Sequence, residues 1–324
     1  MTVHTLPEYA KGQEDLKVRA TIELFPEAVD FMGVIPFKSA PSGAYRYQEE
    51  ASLPENMGFR ALNEEPTAGY GLLVDRVEQT YPIAGNIDVD RRLIARHGTD
   101  RRSTEERMQI KKKASIWANT FMFGDNQSQP REFTGLKARL RPVGTGSASV
   151  DGSNYMSRVV ANSQASGGGA LSLSQLDRAI GLVEGCNALI MPKAIKDRFP
   201  AAQRDTNVGG YIQVKPQEFG EEQVYYRGIR IFTGYGVSKF GEFLPFNEVG
   251  FGGGAAATSS IYPVRFDETG VCAIEQSPME VQDMGLTEGG VWYRTNIEHD
   301  VGMTVEDPFG ALRLSSIANA PIVK

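Results

Sequence analysis

The stretch STEERMQIKKKASIWANTFMFG, residues 103–124, decides the fold. Ser103 and Glu106 form an S-x-x-E capping box, the signature of a helix start. Glu105 and Glu106 place negative charge in the first turn, where the helix dipole favours it. Ile110, Ala114, Trp117 and Phe121 fall at i, i+4, i+7 and i+11, so they share one apolar face. Arg107, Lys111, Lys112 and Lys113 cover much of the rest. Gly124 follows as a C′ residue free to take φ > 0. The spacing predicts a helix over 103–123, a rod of roughly 30 Å at 1.5 Å per residue. Its basic side has two readings: a solvated face, or a face that meets a partner.

Working outward, 324 residues are enough for a sizeable core and predict more than one lobe. Hydrophobic residues at 41% and charged residues at 23% exclude a disordered chain. A formal charge of −6 argues against a surface built to grip nucleic acid. Two cysteines, Cys186 and Cys272, are too few for a disulfide scaffold and fit a reducing compartment. The N-terminus lacks a basic-then-apolar signal pattern. No window approaches 18 consecutive apolar residues, the length a spanning helix needs. The 35 glycines and 17 prolines are spread along the chain, which predicts many turns and short strands.

Residues 1–34 read as a polar arm broken by Pro7 and Pro26, with a weak apolar pattern at Ile22, Leu24 and Phe25. Alone, such a segment would not offset its ordering entropy, so it is expected to lie against something, such as a neighbour. Residues 35–85 read as a long two-stranded excursion. Tyr45 and Tyr47 alternate with polar residues on the way out, and Leu73 and Val77 mark the return. Between them lies a tip rich in Pro, Gly, Asn and Glu. A lone ribbon is marginal in water and its edges invite pairing, so a partner surface is expected beneath it. An ordinary surface hairpin is the alternative.

DVDRRLIARH, residues 88–97, predicts a short basic helix before the central one. A strand is expected near 133–140. Residues 144–170 are rich in Gly, Ser and Asn and predict a mobile loop at a lobe boundary. From Leu171 the pattern turns to α/β. Leu176, Ile180 and Val183 mark a helix capped by Ser172 or Ser174, and NALIMP is a short strand stopped by Pro192. KAIKDRF is a helical turn. Strands or hairpins follow at GYIQVKP, QVYYRGIRIFTGYG, EFLPF, SIYPVRFDE, GVCAIEQSP, VWYRTNIEHDVGMTVED and ALRLSSI. GFGGGAAATSS, at 250–260, reads as a flexible turn. The order gives a two-lobed α+β subunit whose first lobe is discontinuous in sequence.

Chemistry is sparse. His4, His97 and His299 lack a His or Cys at metal-ligand spacing and read as surface or interface residues. Cys186 reads as a small core residue. The glycines at 250–254 are followed by TSSIYPV, which is no helix, so they cannot hold a pyrophosphate. Neither a phosphate-binding G-x-x-x-x-G-K-[ST] loop nor a G-x-S-x-G elbow occurs. Glu49 with Glu50 and Glu221 with Glu222 are sequence neighbours that point to opposite strand faces, so neither pair is an acid/base site. No catalytic residue, cofactor site or metal site is expected, and the chain is not expected to be an enzyme.

The strongest local charge signal is basic: Arg91, Arg92, Arg96, Arg101, Arg102, Arg107, Lys111, Lys112 and Lys113. No aromatic residues interleave it for base stacking. The ribbon carries Glu49, Glu50, Glu55, Glu64 and Glu65, with Arg60 among them. An acidic ribbon against a neighbour's basic helix is a cross-subunit pairing that would guide register and encounter. The candidate inter-subunit residues are therefore Glu49, Glu50, Arg60, Glu64, Glu65, Arg91, Arg92, Lys111, Lys112 and Lys113. A solvated basic face is the alternative.

The order of these parts resembles the phage major capsid proteins of the HK97-like fold. The resemblance rests on Gly124, Asp125, Phe133, Gly135, Leu136 and Arg139 in G-D…F-x-G-L-x-x-R, on SSIYPVRFDE at 259–268, and on V-x-D-M-G-L…YRTNIEHDVGMTVEDPFGALRLSSI from 281 to 317. It spans roughly residues 30–318. It implies an N-arm at 1–34 and an E-loop at 35–85. It implies a peripheral (P) domain at 86–140 and 281–324, with its spine helix at about 103–123, and an axial (A) domain at 141–280.

The resemblance further implies hexamers and pentamers that close into an icosahedral shell around double-stranded DNA, without sequence-specific binding. A portal protein and, in some relatives, a decoration or cement protein would be partners, in a virion assembled in the host cytoplasm. Some relatives carry a cleaved scaffolding segment of about a hundred residues. The arm here is shorter, which implies a separate scaffolding protein. Some relatives cross-link the E-loop through a lysine–asparagine bond. No lysine lies between Lys38 and Lys111, so a non-covalent shell is expected. An encapsulin-type compartment shell, or a soluble α+β enzyme with a site in the 140–170 loop, are the other readings.

Overall fold

The computed structural model describes residues 3–13, 16–52, 54, 56–65, 68–97, 100–140, 158–204, 211–216, 222–235 and 241–323. In chain order, β1 (Val3–His4), α1 (Leu6–Lys11) and α2 (Leu16–Ala28) lead through a 3-10 turn, Asp30–Gly33, to β2 (Phe37–Ser39). β3 (Ala44–Ser52) and β4 (Leu72–Gln79) form the ribbon. β5 (Tyr81–Asp90), α3 (Arg91–His97), α4 (Asp100–Phe123) and α5 (Leu136–Arg139) follow. Next come β6 (Val159–Ala161), α6 (Leu173–Gly181), β7 (Ala188–Ile190), α7 (Lys193–Lys196) and α8 (Phe199–Gln203). β8 (Ile212–Pro216), β9 (Glu222–Tyr226), β10 (Ile229–Phe232), β11 (Glu248–Val249) and β12 (Ala256–Val264) continue the second lobe. β13 (Val271–Glu275), β14 (Glu280–Leu286), β15 (Trp292–Val305) and β16 (Arg313–Ala318) close the chain.

Among the described residues, one sheet runs β1-β2-β13-β15-β14, with β5 also on β15. β5 and β15 pair antiparallel from Tyr81↔Val301 to Asp90↔Trp292. A second sheet runs β6-β16-β12-β7-β10-β9-β8, with β11 on β12. The ribbon is a two-stranded sheet of its own.

The central helix packs on the first sheet because one face has nowhere else to go. Ile110, Ala114, Trp117 and Phe121 are all buried. Trp117 stacks on Phe121 at 5.2 Å between ring centroids and on Phe37 of β2 at 6.2 Å. Phe31 of the 3-10 turn meets Phe121 at 5.6 Å. Offset aromatic contacts of this kind add about 0.5–1.5 kcal/mol beyond area burial. A second core, with Leu176, Leu189, Phe199, Tyr226, Ile231, Ile261 and Leu314, fills the other lobe.

Several expectations are corrected. The helix starts at Asp100, so Ser103 lies a turn inside rather than at the cap. Glu106 accepts from Arg102 Nε at 3.1 Å and from Thr295 Oγ1 at 2.8 Å, which ties the first turns to β15. Gly124 is needed for space rather than for φ: a Cβ there would lie 2.4 Å from the Phe133 carbonyl oxygen. The expected strand near 133–140 is instead the single turn α5. No strand forms at 242–246, where Phe243 and Leu244 are simply buried.

The described part of residues 1–34 is not a polar arm laid on a neighbour: it packs on its own subunit. Leu6, Ala10, Ile22, Phe25, Val29, Phe31 and Met32 are buried in the subunit's own core. Glu8 accepts from the Thr5 N–H at 2.9 Å, a T-x-x-E capping box with Pro7 in the first turn. The lobe boundaries also shift. β2 and β13 belong to the first sheet and β16 to the second; the chain crosses from the second sheet to the first before β13 and back before β16. Of the Gly-rich 144–170 loop, residues 144–157 lie outside the described residues. The remainder is pinned to the 250–255 turn: Gly167 N–H donates to the Gly253 carbonyl at 2.9 Å, and Phe251 N–H to Ser316 Oγ at 2.7 Å.

Candidate assembly interface

The ribbon stands out because little of it touches its own subunit. At its root, Tyr45 and Tyr47 pack at 6.2 Å. Tyr47 Oη donates to the Val305 carbonyl at 3.2 Å. Tyr45 Oη donates to Glu306 Oε1 at 2.7 Å, and Lys38 Nζ pairs with the same carboxylate. Glu78, opposite Tyr45, accepts both arms of the Arg139 guanidinium at 2.6 and 2.8 Å. The eight residues of β4 alone reach about 26 Å at 3.3 Å each.

The tip is apolar as well as acidic. Met57, Phe59, Leu62 and Tyr70 are between 84% and 111% exposed, and Leu72, Leu73 and Val77 are more than half exposed. Glu64 and Glu65 are exposed beside them. Arg60 Nη1 donates to the Glu64 carbonyl at 2.8 Å, and Glu64 Oε2 accepts from the Ala61 N–H at 2.8 Å, so these two shape the tip's own turn. Glu49 pairs with Arg76 across the ribbon at 2.8 Å. The Glu50 side chain lies outside the described residues. The sequence signal for the apolar tip was present in M-x-F-x-x-L at 57–62, hidden among turn residues.

The basic cluster does not form one face. Lys113 is buried, and its Nζ donates to the Ile297 carbonyl at 2.7 Å. Burial pulls its pKa down to about 8, only partly offset by Glu298. Lys111 sits 3.5 Å from Glu27 of α2. Arg102 reaches Asp283 at 2.7 Å. These side chains are spent within the subunit, because α2 and β15 flank the helix. Lys112 and Arg107 are exposed. Arg91, Arg92 and Arg96 are exposed too, and with Gly290 and Val291 they line a cleft of about 670 Å³ at the end of the first sheet. Val291 and Trp292 beside it are 45% and 43% exposed.

Elsewhere the titratable groups are structural. His299 is buried and His4 half-buried; each has Nε2 3.0 Å from a different oxygen of buried Glu275. The His97 side chain lies outside the described residues. Burial pushes the Cys186 thiol up to about 11 and the Cys272 thiol up to about 12, so neither is ionised at neutral pH. Among the described residues, no group of three His, Cys, Asp or Glu side chains is arranged to hold a metal ion.

No family model matches the chain, and no curated protein matches it in sequence. Solved structures do. The chain is similar to the capsid of the native GTA particle over 89% of its length and 90% of that chain, at 13% identity and a TM-score of 0.60. It is similar to the SrpI encapsulin of Synechococcus elongatus PCC 7942 over 89% of its length and 87% of that chain, at 12% identity and a TM-score of 0.57. Microbacterium phage Oxtober96 supplies a third, with 88% and 89% covered, 12% identity and a TM-score of 0.54.

The chain has the HK97-like capsid fold. The sequence resemblance names the ribbon as that fold's E-loop and α4 as its spine helix. The E-loop carries the exposed apolar tip, and the spine helix carries the core. The HK97-like resemblance read from the G-L-x-x-R motif also gains a physical content here, since Leu136 is buried under the spine and Arg139 holds the E-loop root.

Proposed function

We propose that this chain is a major capsid protein that self-assembles into hexamers and pentamers of an icosahedral shell enclosing double-stranded DNA. The observation that carries the reading is the E-loop, an extended ribbon whose large apolar side chains stand in water on the isolated subunit. Each such side chain gains about 1.5–3 kcal/mol when fully buried. A second copy of the chain offers a complement: the cleft of Arg91, Arg92 and Arg96, flanked by Val291 and Trp292, against a tip bearing Glu64 and Glu65. Charge of this kind sets register and encounter rate, while the apolar contact supplies affinity.

The first sheet with the spine helix is the P domain in this reading, and the second sheet is the A domain. A portal protein, a separate scaffolding protein and a decoration or cement protein are the proposed partners, in a virion assembled in the host cytoplasm. The net charge of −6 supports an interior that tolerates DNA without gripping it, since every phosphate neutralised adds salt-dependent affinity. The lack of a lysine between Lys38 and Lys111 supports a non-covalent shell.

Negative-stain microscopy of the purified chain, followed by nuclease treatment and extraction, tests this. Closed shells holding nuclease-protected double-stranded DNA are expected from infected or lysogenic cells. Shells that hold only protein would move the reading to an encapsulin-type compartment. A monomer or small discrete oligomer at every salt and protein concentration would sink the shell reading and leave an enzyme.

A further inference from the structure

The E-loop joins the body through very little chain. β4 ends at Gln79 and β5 begins at Tyr81, so Thr80 is the one residue between ribbon and sheet. Both the Thr80 N–H and its Oγ1 bond to the Gly43 carbonyl, at 3.0 and 3.3 Å, and pinch the two strands together there. Gly43 turns at φ +71°, a backbone that favours glycine. A two-stranded ribbon on such a neck has no sheet neighbour to fix its direction. Side chains at the root must do it.

Tyr45 and Tyr47 contribute through Glu306 and the Val305 carbonyl, and one charged side chain adds a two-point clamp. The Arg139 guanidinium donates to Glu78 Oε1 and Oε2 at 2.6 and 2.8 Å, to the Met303 carbonyl at 3.1 Å and to the Thr134 carbonyl at 2.9 Å. It therefore ties the ribbon, the long strand β15 and the segment below the spine helix into one planar fork. A bidentate carboxylate pair fixes orientation as well as distance, which a lysine at this site could not do. The fork is itself anchored, because Leu136, one turn earlier on α5, is fully buried. Both partners are about four-fifths buried, with side-chain exposures of 18% and 22%, so solvent screens the pair only partly. By contrast the Arg76–Glu49 pair lies within the ribbon and cannot affect its angle.

We propose that Arg139 is a positioning residue for assembly: through Glu78 it sets the angle at which the E-loop leaves the subunit. Leverage makes this matter. A swing of about 20° at the neck moves the end of a 26 Å strand by about 9 Å, enough to carry the tip off a cleft on a neighbour. Arg139 thereby governs an interface that it does not touch. The consequence for assembly rests on the shell reading; the angle itself belongs to the single subunit.

The test is a distance measurement between paramagnetic labels at positions 62 and 112, carried on unnatural side chains so that Cys186 and Cys272 stay untouched. It is made on the full chain in dispersed subunits. The wild type is expected to give one narrow distribution. R139A and E78Q are expected to broaden it to a spread of about 10 Å and to lower shell yield. Should R139A fail to fold, E78Q, which keeps shape and removes only charge, decides alone. A distribution left narrow in E78Q and R139A overturns the proposal, even if shells are lost. Broadening in subunits whose wild type never forms shells would count against the shell reading and leave the clamp standing.

Discussion

The spine helix and the E-loop are both elongated, and both carry large apolar side chains, yet they resolve that burden in opposite ways. The helix turns Trp117 and Phe121 onto its own sheet and spends Lys111 and Lys113 on α2 and β15. The ribbon leaves Met57, Phe59, Leu62 and Tyr70 in water. The helix buries its main apolar face within the subunit, and on the shell reading the ribbon is completed by a second copy. Mutations should therefore separate cleanly, with helix changes costing folding and ribbon changes costing assembly.

The largest expected effect breaks the helix side. Trp117→Ala should destabilise the subunit by about 3–5 kcal/mol, the usual cost of emptying a buried tryptophan site. Urea unfolding of dispersed subunits measures it. A loss under about 1 kcal/mol would mean that the helix is not the core the packing describes.

Next comes the ribbon. F59S and L62S should leave subunit unfolding within about 0.5 kcal/mol of wild type, because neither side chain is buried there. Each should weaken subunit association by roughly tenfold or more, since about 1.4 kcal/mol is a decade. Light scattering during reassembly reads this directly. If instead these changes lower the melting temperature and spare assembly, the contrast between the two regions fails.

Lys113 sharpens the comparison through pH. Its pKa falls from an ordinary 10.5 to about 8 in the folded chain, through burial. Between those values the unfolded chain still holds the proton and the folded chain has shed it, so stability rises with pH across that window, and the gain is lost as pH falls from 10.5 to about 8. The gain is on the order of 3 kcal/mol. K113M should flatten the rise between pH 8 and 10 while leaving Lys112, one residue away and exposed, irrelevant to it. Equal slopes in both proteins would put Lys113 in solvent.

The smallest effect belongs to the cleft. Charge reversal at Arg91 and Arg92 should cost about 0.2–1 kcal/mol per contact, because both are exposed and screened. It should slow assembly chiefly at low salt, and assembly kinetics across ionic strength would check this.

How much of this was legible in the sequence follows the same division. Ile110, Ala114, Trp117 and Phe121 announced their face by spacing, because a helix repeats every 3.6 residues. Tyr45, Tyr47 and Val77 announced the ribbon by alternation. The helices of residues 1–34 were masked by Pro7 and Pro26, read as breakers: Leu6 and Ala10 at i, i+4 and Ile22, Phe25 and Val29 at i, i+3, i+7 do have helical spacing, and the prolines sit in the first turn of α1 and the last turn of α2. Lys113 looked solvated because periodicity cannot see α2 and β15 closing over that side. Arg139 and Glu78 are 61 residues apart, and nothing local joins them. The apolar tip was missed for the reverse reason: Phe59 and Leu62 sit among turn residues, where an exposed apolar group leaves no pattern.

The central claim is that the ribbon tip is covered by a second copy of the chain. Hydroxyl-radical footprinting of intact particles and of subunits dispersed from them measures it at Met57, Phe59 and Tyr70. Strong oxidation in subunits and protection in particles is the predicted result. Equal oxidation of the three residues in both states would contradict it.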